Sequence, residues 1–159
     1  MSNAKPHTPT PVAALLPHTG AMRLIDELLD YDQDSLRVAL QVRDQAPFGD
    51  GHSRVPAYLG IEYMAQAIAV FSGLEMSALG LSPKIGLLIG ARRYDSQIDH
   101  FVAGQRLSVG VRLVMRDETG ICVFGCEIFD AAGASLARAE IKAYRPDDIH
   151  RFLLEDAAA

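Results

Sequence analysis

The sequence predicts an α+β domain in which one curved antiparallel sheet wraps around a single long, buried helix. Three features lead to this fold class: a nearly all-apolar segment over residues 56–72, two strand-like segments before it, and a series of strand-like segments separated by turns after it. A helix with so little polar surface must be covered on most of its circumference, and only a curved sheet can provide that cover here. One small sheet covers such a helix incompletely, so we expect a dimer whose two helices pack against each other.

The length and composition are those of one globular domain. The chain has 159 residues, of which 49% are hydrophobic and 22% are charged, which is enough apolar material for a single core. We expect a mobile N-terminal tail over 1–13, the domain over 14–146, and a C-terminal tail with a short helix over 147–159. The net charge of −5 argues against a nucleic-acid partner, because phosphate binding depends on clustered Lys and Arg.

Neither a membrane span nor a secretory signal is predicted. The longest apolar stretch, 55–73, is interrupted by Glu62 and Gln66 and lacks the uninterrupted run of roughly 18–20 apolar residues that a span needs. The N-terminus contains three prolines in its first eleven residues and no central apolar run, unlike a secretory signal. We therefore expect a cytoplasmic protein.

The first half of the chain is predicted to begin with a hairpin. Residues 23–30 and the alternating apolar and polar residues of 36–42 are typical of two strands, and the polar stretch 31–35 of the turn between them. A loop rich in Asp, Gly, Pro and Ser follows over 44–55.

The long helix is predicted over 56–72. Pro56 suits a first helical turn, and a helix of this length extends roughly 25 Å, enough to cross a small domain. Gly73 is the expected end of the helix, and the sequence Gly80–Pro83 excludes any continuation.

The second half of the chain is rich in predicted strands. Alternating apolar and polar residues indicate half-buried strands, and short turns separate them into an antiparallel meander. The segment 84–91 differs, because its apolar residues are nearly continuous and predict a mostly buried strand. The other predicted strands are 107–116, 121–129 and 135–144, with turns at 117–120 and 130–134.

The two cysteines, Cys122 and Cys126, are predicted to be free thiols. Four residues apart on one strand, they point to the same face at a separation of about 13 Å, which is too far for a disulfide. They form no CxxC motif and no histidine is near in sequence, so buried thiols are favoured over metal ligands. We expect neither a metal nor a cofactor, since nucleotide-binding fingerprints and the serine-hydrolase elbow are absent too.

Glu62 is the strongest candidate for a catalytic residue, because it is the only charged side chain in the apolar helix. A buried carboxyl group is costly unless it is hydrogen-bonded or protonated, and a protonated carboxyl can act as an acid near neutral pH. Gln66 lies one turn later on the same face, as a partner or a second site residue. The alternative is a structural glutamate, satisfied by amides at the helix end or by a buried arginine.

Two histidines are candidates to accompany Glu62. His52 belongs to a Gly-rich loop, 49–53, that precedes the helix. From there it can reach over the helix start as a general base, or it is a solvated loop residue. His18 precedes the first strand and either lines the site or holds its own loop by hydrogen bonds.

Several segments resemble those of a known family, in the same order. They are Leu16–Asp26 (LPHTGAMRLID), Gly51–His52, Gly60–Ala67 (GIEYMAQA), Gly86–Arg93 (GLLIGARR) and Phe101–Leu107 (FVAGQRL). Over about residues 14–145 the chain resembles the 3-hydroxyacyl-acyl carrier protein dehydratases of fatty acid synthesis. The likeness is greatest to the small predicted dehydratases of aryl-polyene-type pigment clusters, in which GIEYMAQA is typical.

This resemblance implies a dimeric hotdog-fold enzyme that acts on acyl thioesters without a cofactor. In that family, a loop histidine removes the C2 proton of a 3-hydroxyacyl chain, and a helix carboxylate from the other subunit protonates the departing hydroxyl. Here those roles would fall on His52 and Glu62. A backbone amide at the helix start, by position near Ala57, would polarise the thioester carbonyl, and the acyl chain would lie between helix and sheet.

The loop between the histidine and the acid is shorter than in the fatty-acid enzymes, since this chain has only Ser53–Ala57 where they carry further Pro-Gly elements. If His52 does not reach Glu62, His18 becomes the candidate base, or the chain is a noncatalytic partner subunit of a dehydratase heterodimer. A hotdog thioesterase, whose carboxylate activates water or attacks the thioester, is a further alternative.

An acyl carrier protein is acidic, so the resemblance also predicts a basic docking surface. Arg54, Arg92 and Arg93 are the candidate docking residues. The alternative is that they are ordinary solvated arginines.

Overall fold

The computed structural model describes residues 10–44, 49–83 and 86–146, together with residues 154, 155, 157 and 158. The strands are β1 (Thr10–Pro11), β2 (Glu27–Tyr31), β3 (Ser35–Gln41), β4 (Arg54–Pro56), β5 (Leu87–Ser96), β6 (His100–Val102), β7 (Arg106–Arg116), β8 (Ile121–Phe129) and β9 (Ser135–Tyr144), and the helix α1 is Gly60–Ala78. Seven strands form one sheet in the order β1-β2-β3-β7-β8-β9-β5, while β4 and β6 pair separately. Every pairing is antiparallel.

The predicted α+β arrangement, one sheet around one long helix, is confirmed. The helix contacts β3, β5, β7, β8 and β9. Its buried side includes Met64, Ala67 and Phe71, and the ring of Phe71 meets that of Phe124 edge to face, with 5.4 Å between centroids. This apolar interface is the core that fixes the position of α1 on the sheet.

The helix lies where the apolar segment predicts it, but its start differs from the prediction. Pro56 has φ −55° and ψ 141°, an extended conformation, and pairs with His100 as the last residue of β4. A 3-10 turn over Ala57–Leu59 then leads into α1 at Gly60. The predicted start at Pro56 is wrong because strand pairing holds this residue extended.

The predicted helix end at Gly73 is also wrong, and the reason is tertiary. A Cβ atom at Gly73 would lie 2.1 Å from the carbonyl oxygen of Leu15. The glycine therefore permits the segment before His18 to approach the helix closely instead of ending it. The helix continues to Ala78 and is followed by Gly80, whose φ of 71° is the left-handed conformation typical after a helix.

The predicted hairpin and meander are confirmed. β2 pairs with β3, β8 and β9 occupy the predicted residues, and β7 begins one residue earlier than predicted. β3 pairs with β7 from Ser35 opposite Arg112 to Gln41 opposite Arg106. This pairing joins the two halves of the chain into one sheet.

The strand predicted to be mostly buried, 84–91, is exposed where the structure describes it. β5 begins at Leu87 and pairs along one side only, with β9, while residues 84 and 85 lie outside the described part of the chain. Leu88 and Ile89 are 46% and 50% exposed. The prediction of burial is wrong because β5 is the last strand of the sheet and has no neighbour on its other side among the described residues.

Paired structure begins before the expected domain start at residue 14. Thr10 and Pro11 form β1 beside β2 and Val12 is fully buried, so the domain extends at least to Thr10. The expected C-terminal helix falls largely on 147–153, outside the described residues, and only Leu154, Glu155 and Ala157 of that tail are helical. Within the described residues, no helix combines the length and apolarity needed to cross a membrane.

Candidate active site

A cavity of about 380 Å³ opens between one face of α1 and the strands β5, β8 and β9. The helix residues along it recur every three or four positions, so they form a band that runs along the helix and gradually turns around it. These residues include Glu62, Ala65, Ala69, Ser72 and Glu75. Small side chains in the middle of this face leave room, and apolar strand residues complete the walls. The volume falls within the range typical of small-ligand sites, roughly 300–1,000 Å³.

Glu62 lies in the first turn of α1 and lines this cavity. Its side chain is 36% exposed, so in the isolated chain it is half-buried and not enclosed by apolar groups as expected. The reason is that its face of the helix points into the open cavity. Its Oε1 accepts a hydrogen bond from Nε2 of Gln66 at 3.0 Å, and no arginine or lysine among the described residues pairs with it.

Gln66 is the one polar side chain that is fully buried in the described part of the chain. Its Oε1 accepts from the backbone N–H of Leu24 at 2.8 Å, and its Nε2 donates to the carbonyl of Met22 at 2.8 Å as well as to Glu62. Gln66 thus joins the helix to residues 22–24, which follow His18 in the chain. This satisfies backbone groups of a segment that lies outside the sheet.

His18 is placed beside Glu62. Its Nε2 lies 3.9 Å from Oε1 of Glu62, beyond direct hydrogen-bond distance but within a distance that one small shift or one water bridges. Its Nδ1 is buried and has no hydrogen-bond partner among the described residues. The structure therefore brings together Glu62, Gln66 and His18, all three of which the sequence singles out.

The start of α1 is held by Tyr94 of β5. The Tyr94 hydroxyl donates to the carbonyl oxygen of Ala57, and burial raises the pKa of this tyrosine. Gly60 makes this contact possible, since a Cβ atom there would lie 2.2 Å from the Tyr94 hydroxyl oxygen. The position of Glu62, two residues further on, therefore depends on this packing.

The predicted role of the Ala57 amide is not supported. Its N–H donates to the carbonyl of Asp99 at 3.1 Å, and the residue is buried. An amide committed to the fold in this way is not available to polarise a thioester carbonyl. Sequence position alone did not reveal this bond, because Asp99 precedes the distant strand β6.

His52 lies on an exposed loop and does not line the cavity of its own chain. Two carboxylates shape this loop through its backbone. Asp44 accepts from the N–H groups of Gly51 and Ser53 at 3.0 and 2.7 Å. Asp50 accepts from the N–H of His52 at 2.6 Å, which holds the pKa of Asp50 below its usual value.

The three arginines predicted to dock a carrier protein are exposed. Arg92 and Arg93 belong to β5 at an irregularity in its pairing with β9, where Arg93 has a φ of 54°. Arg54 pairs with Asp50 at 3.3 Å. Tyr94, which directly follows Arg93, joins this part of β5 to the helix start by its bond to Ala57. The backbone of Arg92 and Arg93 therefore lies near that end of the helix.

The far end of the cavity is also polar, but it is ion-paired. Glu75 accepts two bonds from Nη2 of Arg116, at 2.8 and 3.0 Å. Nη1 of Arg145 donates to Glu75 at 3.2 Å and to the hydroxyl of Ser72 at 2.7 Å. Two cations therefore neutralise this carboxylate.

The two cysteines are free, as predicted. Cys122 lines the cavity, whereas burial raises the pKa of Cys126 to about 12. Among the described residues, no three His, Cys, Asp or Glu side chains are placed to hold a metal ion.

An antiparallel sheet around one helix, with a carboxylate in the first helical turn beside an apolar cavity, is the arrangement that the resemblance to hotdog-fold thioester enzymes implies. Residues 10–154 match the model of the ApeP-like family, described as ApeP dehydratase. The chain belongs to this family. The predicted class, a hotdog dehydratase of 3-hydroxyacyl thioesters, is thereby confirmed.

Individual relatives agree with this assignment. The chain is 30% identical over 122 residues to the 3-hydroxyacyl-[acyl-carrier-protein] dehydratase FabZ of Xylella fastidiosa (strain M12), covering 72% of this chain and 74% of that enzyme. A solved structure, the dehydratase heterocomplex ApeI:P from Xenorhabdus doucetiae, is similar with a TM-score of 0.81 and 27% identity, covering 91% of this chain and 97% of that one. The PaaI protein of E. coli, at 17% identity and a TM-score of 0.55, shows only that the fold is shared.

Proposed function

We propose that this dehydratase acts on 3-hydroxyacyl chains carried by an acyl carrier protein, in fatty acid or polyene synthesis, and that Glu62 is its general acid. The observation that carries the proposal is Glu62 itself. It lies at an apolar cavity, is hydrogen-bonded by an amide, and has no arginine or lysine partner among the described residues. Such a carboxyl can exchange a proton without breaking an ion pair. The carrier is proposed because the Xylella relative is named for substrates of that kind.

The chemistry is a β-elimination. A base removes the C2 proton, the C3–O bond breaks, and Glu62 gives its proton to the departing hydroxyl, so that water and a trans-2-enoyl thioester form. The chain beyond C3 would occupy the cavity between α1 and the strands. Negative charge that develops on the thioester oxygen needs a donor other than the Ala57 amide.

The base is a histidine, and we propose His52 from a second subunit. The resemblance to fatty-acid dehydratases supports this, since their histidine and carboxylate come from different subunits, and His52 does not line the cavity of its own chain. His18 is the competing assignment, supported by its distance of 3.9 Å from Glu62. If His52 is the base, His52→Ala abolishes activity, and if His18 is the base, His18→Ala does.

The second subunit would add to the sheet at β5. This strand ends the sheet, and its Leu88 and Ile89 are about half exposed, which is the form of edge that natural proteins cover. The partner would be a copy of this chain or a second hotdog protein, as in the ApeI:P heterocomplex. A cytoplasmic location stays a prediction.

The docking surface for the carrier is proposed at Arg92, Arg93 and Arg54. Their exposure near the helix start supports it. Because Arg54 is engaged by Asp50, we expect charge reversal at Arg92 and Arg93 to slow association with the carrier most, and to do so through the on-rate. Unchanged association kinetics would contradict this assignment.

The experiment that tests the proposal is hydration of a carrier-bound trans-2-enoyl chain, followed by loss of conjugated-thioester absorbance, with thiol release measured in parallel. Wild type, His52→Ala, His18→Ala and Glu62→Gln are compared, alone and with a candidate hotdog partner. Hydration without thiol release that is abolished by Glu62→Gln supports the proposal, and the histidine variant with the larger loss identifies the base. Thiol release by the wild type would instead indicate a thioesterase. No turnover even with a partner would indicate a noncatalytic subunit.

A further inference from the structure

The orientation of the Gln66 amide is dictated by backbone groups. The N–H of Leu24 can only donate, so the amide atom facing it must be the oxygen. The carbonyl of Met22 can only accept, so the atom facing it must be the NH₂ group. The NH₂ group therefore also faces Glu62, and Gln66 is a donor to that carboxyl whatever state the site is in.

This donor makes the two oxygens of Glu62 unequal. Oε1 accepts the Gln66 bond at 3.0 Å, and Oε1 is also the atom nearest to Nε2 of His18. In a protonated carboxyl group the carbonyl oxygen is a better acceptor than the hydroxyl oxygen, so the bond from the Gln66 amide favours Oε1 as the carbonyl oxygen. A proton on Glu62 thus belongs on Oε2.

We propose that Gln66 is the positioning residue of the active site: it holds Oε1 of Glu62 and leaves Oε2 as the oxygen that delivers the proton to the departing hydroxyl. The same amide fixes residues 22–24 against the helix, so one side chain sets the acid relative to the segment that carries His18. This inference rests on the proposed role of Glu62 as the acid. It goes beyond that role by assigning the reactive oxygen and the residue that selects it.

A purely structural role for Gln66 predicts something different. Its two backbone bonds alone would stabilise the fold, and loss of Gln66 would then lower the amount of folded enzyme without acting through Glu62. A positioning role requires that the effect of Gln66 on turnover depend on the presence of Glu62. A double-mutant cycle separates the two.

The test is therefore Gln66→Met, Glu62→Gln and the double variant in the hydration assay, with the thermal unfolding midpoint of each. We expect Gln66→Met to lower kcat by a factor on the order of 10 to 10², with a much smaller change in KM, because misplacement of a catalytic group by about 1 Å has effects of this size. In the Glu62→Gln background, we expect the same substitution to lower kcat by less than about twofold. Full multiplication of the two effects would overturn the proposal.

A second variant guards against loss of folding. Gln66→Glu retains the side-chain length and an oxygen for the Leu24 N–H but replaces the amide donor by a second carboxyl group, which competes with Glu62 for its proton, so we expect lowered kcat. Gln105→Met is the matched control, since the Gln105 amide oxygen accepts from the N–H of Val102 at 3.2 Å, away from the cavity. We expect unchanged kcat for it. Wild-type kcat in folded Gln66→Glu would overturn the positioning role, whereas wild-type kcat in Glu62→Gln would overturn the proposed acid itself.

Discussion

Glu62 and Glu75 belong to one helix and line one cavity, yet the charges around them differ. Thirteen residues, or roughly 20 Å of helix, separate them. Their side chains are similarly exposed, at 36% and 29%. Glu75 is held by Arg116 and Arg145, whereas Glu62 faces a neutral amide and a histidine. Because Glu75 is ion-paired with two arginines, it stabilises the fold. Glu62 has no arginine or lysine partner among the described residues, so it can transfer a proton without breaking such a pair.

The largest expected effect is on turnover when Glu62 is neutralised. Glu62→Gln keeps the size and hydrogen-bonding capacity of the side chain but removes the proton that it delivers. We expect kcat for enoyl-thioester hydration to fall by about 10² or more, with little change in the thermal unfolding midpoint. Retention of more than about a tenth of wild-type kcat would remove Glu62 from the mechanism.

A substitution at Gly60 should disturb the Glu62 end of the helix without touching the Glu75 end. In Gly60→Ala the new Cβ collides with the Tyr94 hydroxyl, so we expect a loss of about 1–3 kcal/mol in the free energy of unfolding and a lowered kcat. Tyr94→Phe removes the colliding oxygen and should recover part of both losses. The check is chemical denaturation and hydration of the single and double variants. Additive losses would show that the Tyr94 contact does not set the helix start.

Glu75→Gln should lower the stability of the fold and leave kcat nearly unchanged, whereas Glu62→Gln should lower kcat and leave the stability nearly unchanged. Two arginines lose their anionic partner, so we expect the free energy of unfolding to fall by roughly 1 kcal/mol, since the pairs are partly solvated. Any effect on catalysis should appear in KM and not in kcat, because this end of the cavity is remote from the reacting carbons. Denaturation curves and steady-state kinetics measure the two effects, and a loss of kcat as large as that of Glu62→Gln would contradict the comparison.

Cys122 offers a chemical probe of the cavity near Glu75. It lines the cavity, whereas the pKa of Cys126 is raised to about 12 by burial, so at pH 8 the Cys126 thiolate is scarce. We expect iodoacetamide to modify Cys122 first and an enoyl thioester to protect it, as read by fragmentation of the tryptic peptide 117–138, which contains both cysteines, in a mass spectrometer. Modification of Cys122 at the same rate with and without ligand would mean that the acyl chain lies elsewhere.

The smallest effect concerns the His52 loop. The hydrogen bond from the His52 N–H is the largest of several contributions that lower the pKa of Asp50. The pKa of Asp50 in the folded protein lies below its usual value of 3.8. The loop contacts of Asp50 are therefore fully present above pH 3.8 and are lost as the pH falls through the lowered pKa of the folded protein. We expect faster amide exchange of His52 and Arg54 below that range in the wild type. In Asp50→Asn, exchange corrected for its intrinsic rate should not show this acid-induced increase.

The sequence predicted the sheet better than it predicted the site. The turns at 117–120 and 130–134 located β8 and β9, because the residues that make a turn are a local property of the sequence. Gly73 was misread as a helix end because its cause, the approach of Leu15, is tertiary. The burial predicted for 84–91 failed for the same reason, since an apolar segment does not reveal that its strand ends a sheet.

Glu62 could be selected from sequence because it is the single charged residue of the apolar segment 56–72. Its relation to His18 and Gln66 could not be derived, because it depends on how residues 22–24 pack on the helix. The hydrogen bond from the Ala57 N–H to the carbonyl of Asp99 could not be predicted either, because the two residues are distant in the sequence. A sequence shows which side chains are costly to bury, but the hydrogen-bond and charge partners on which their function depends are set by the tertiary structure.

The contrast between the two carboxylates is tested most directly by measuring enoyl-thioester hydration for Glu62→Gln and Glu75→Gln side by side, at equal concentrations of folded protein. The account predicts that Glu62→Gln retains about a hundredth of wild-type kcat or less, while Glu75→Gln retains most of it and unfolds at a lower temperature. Equal losses of kcat in the two variants, or a greater loss in Glu75→Gln, would contradict it.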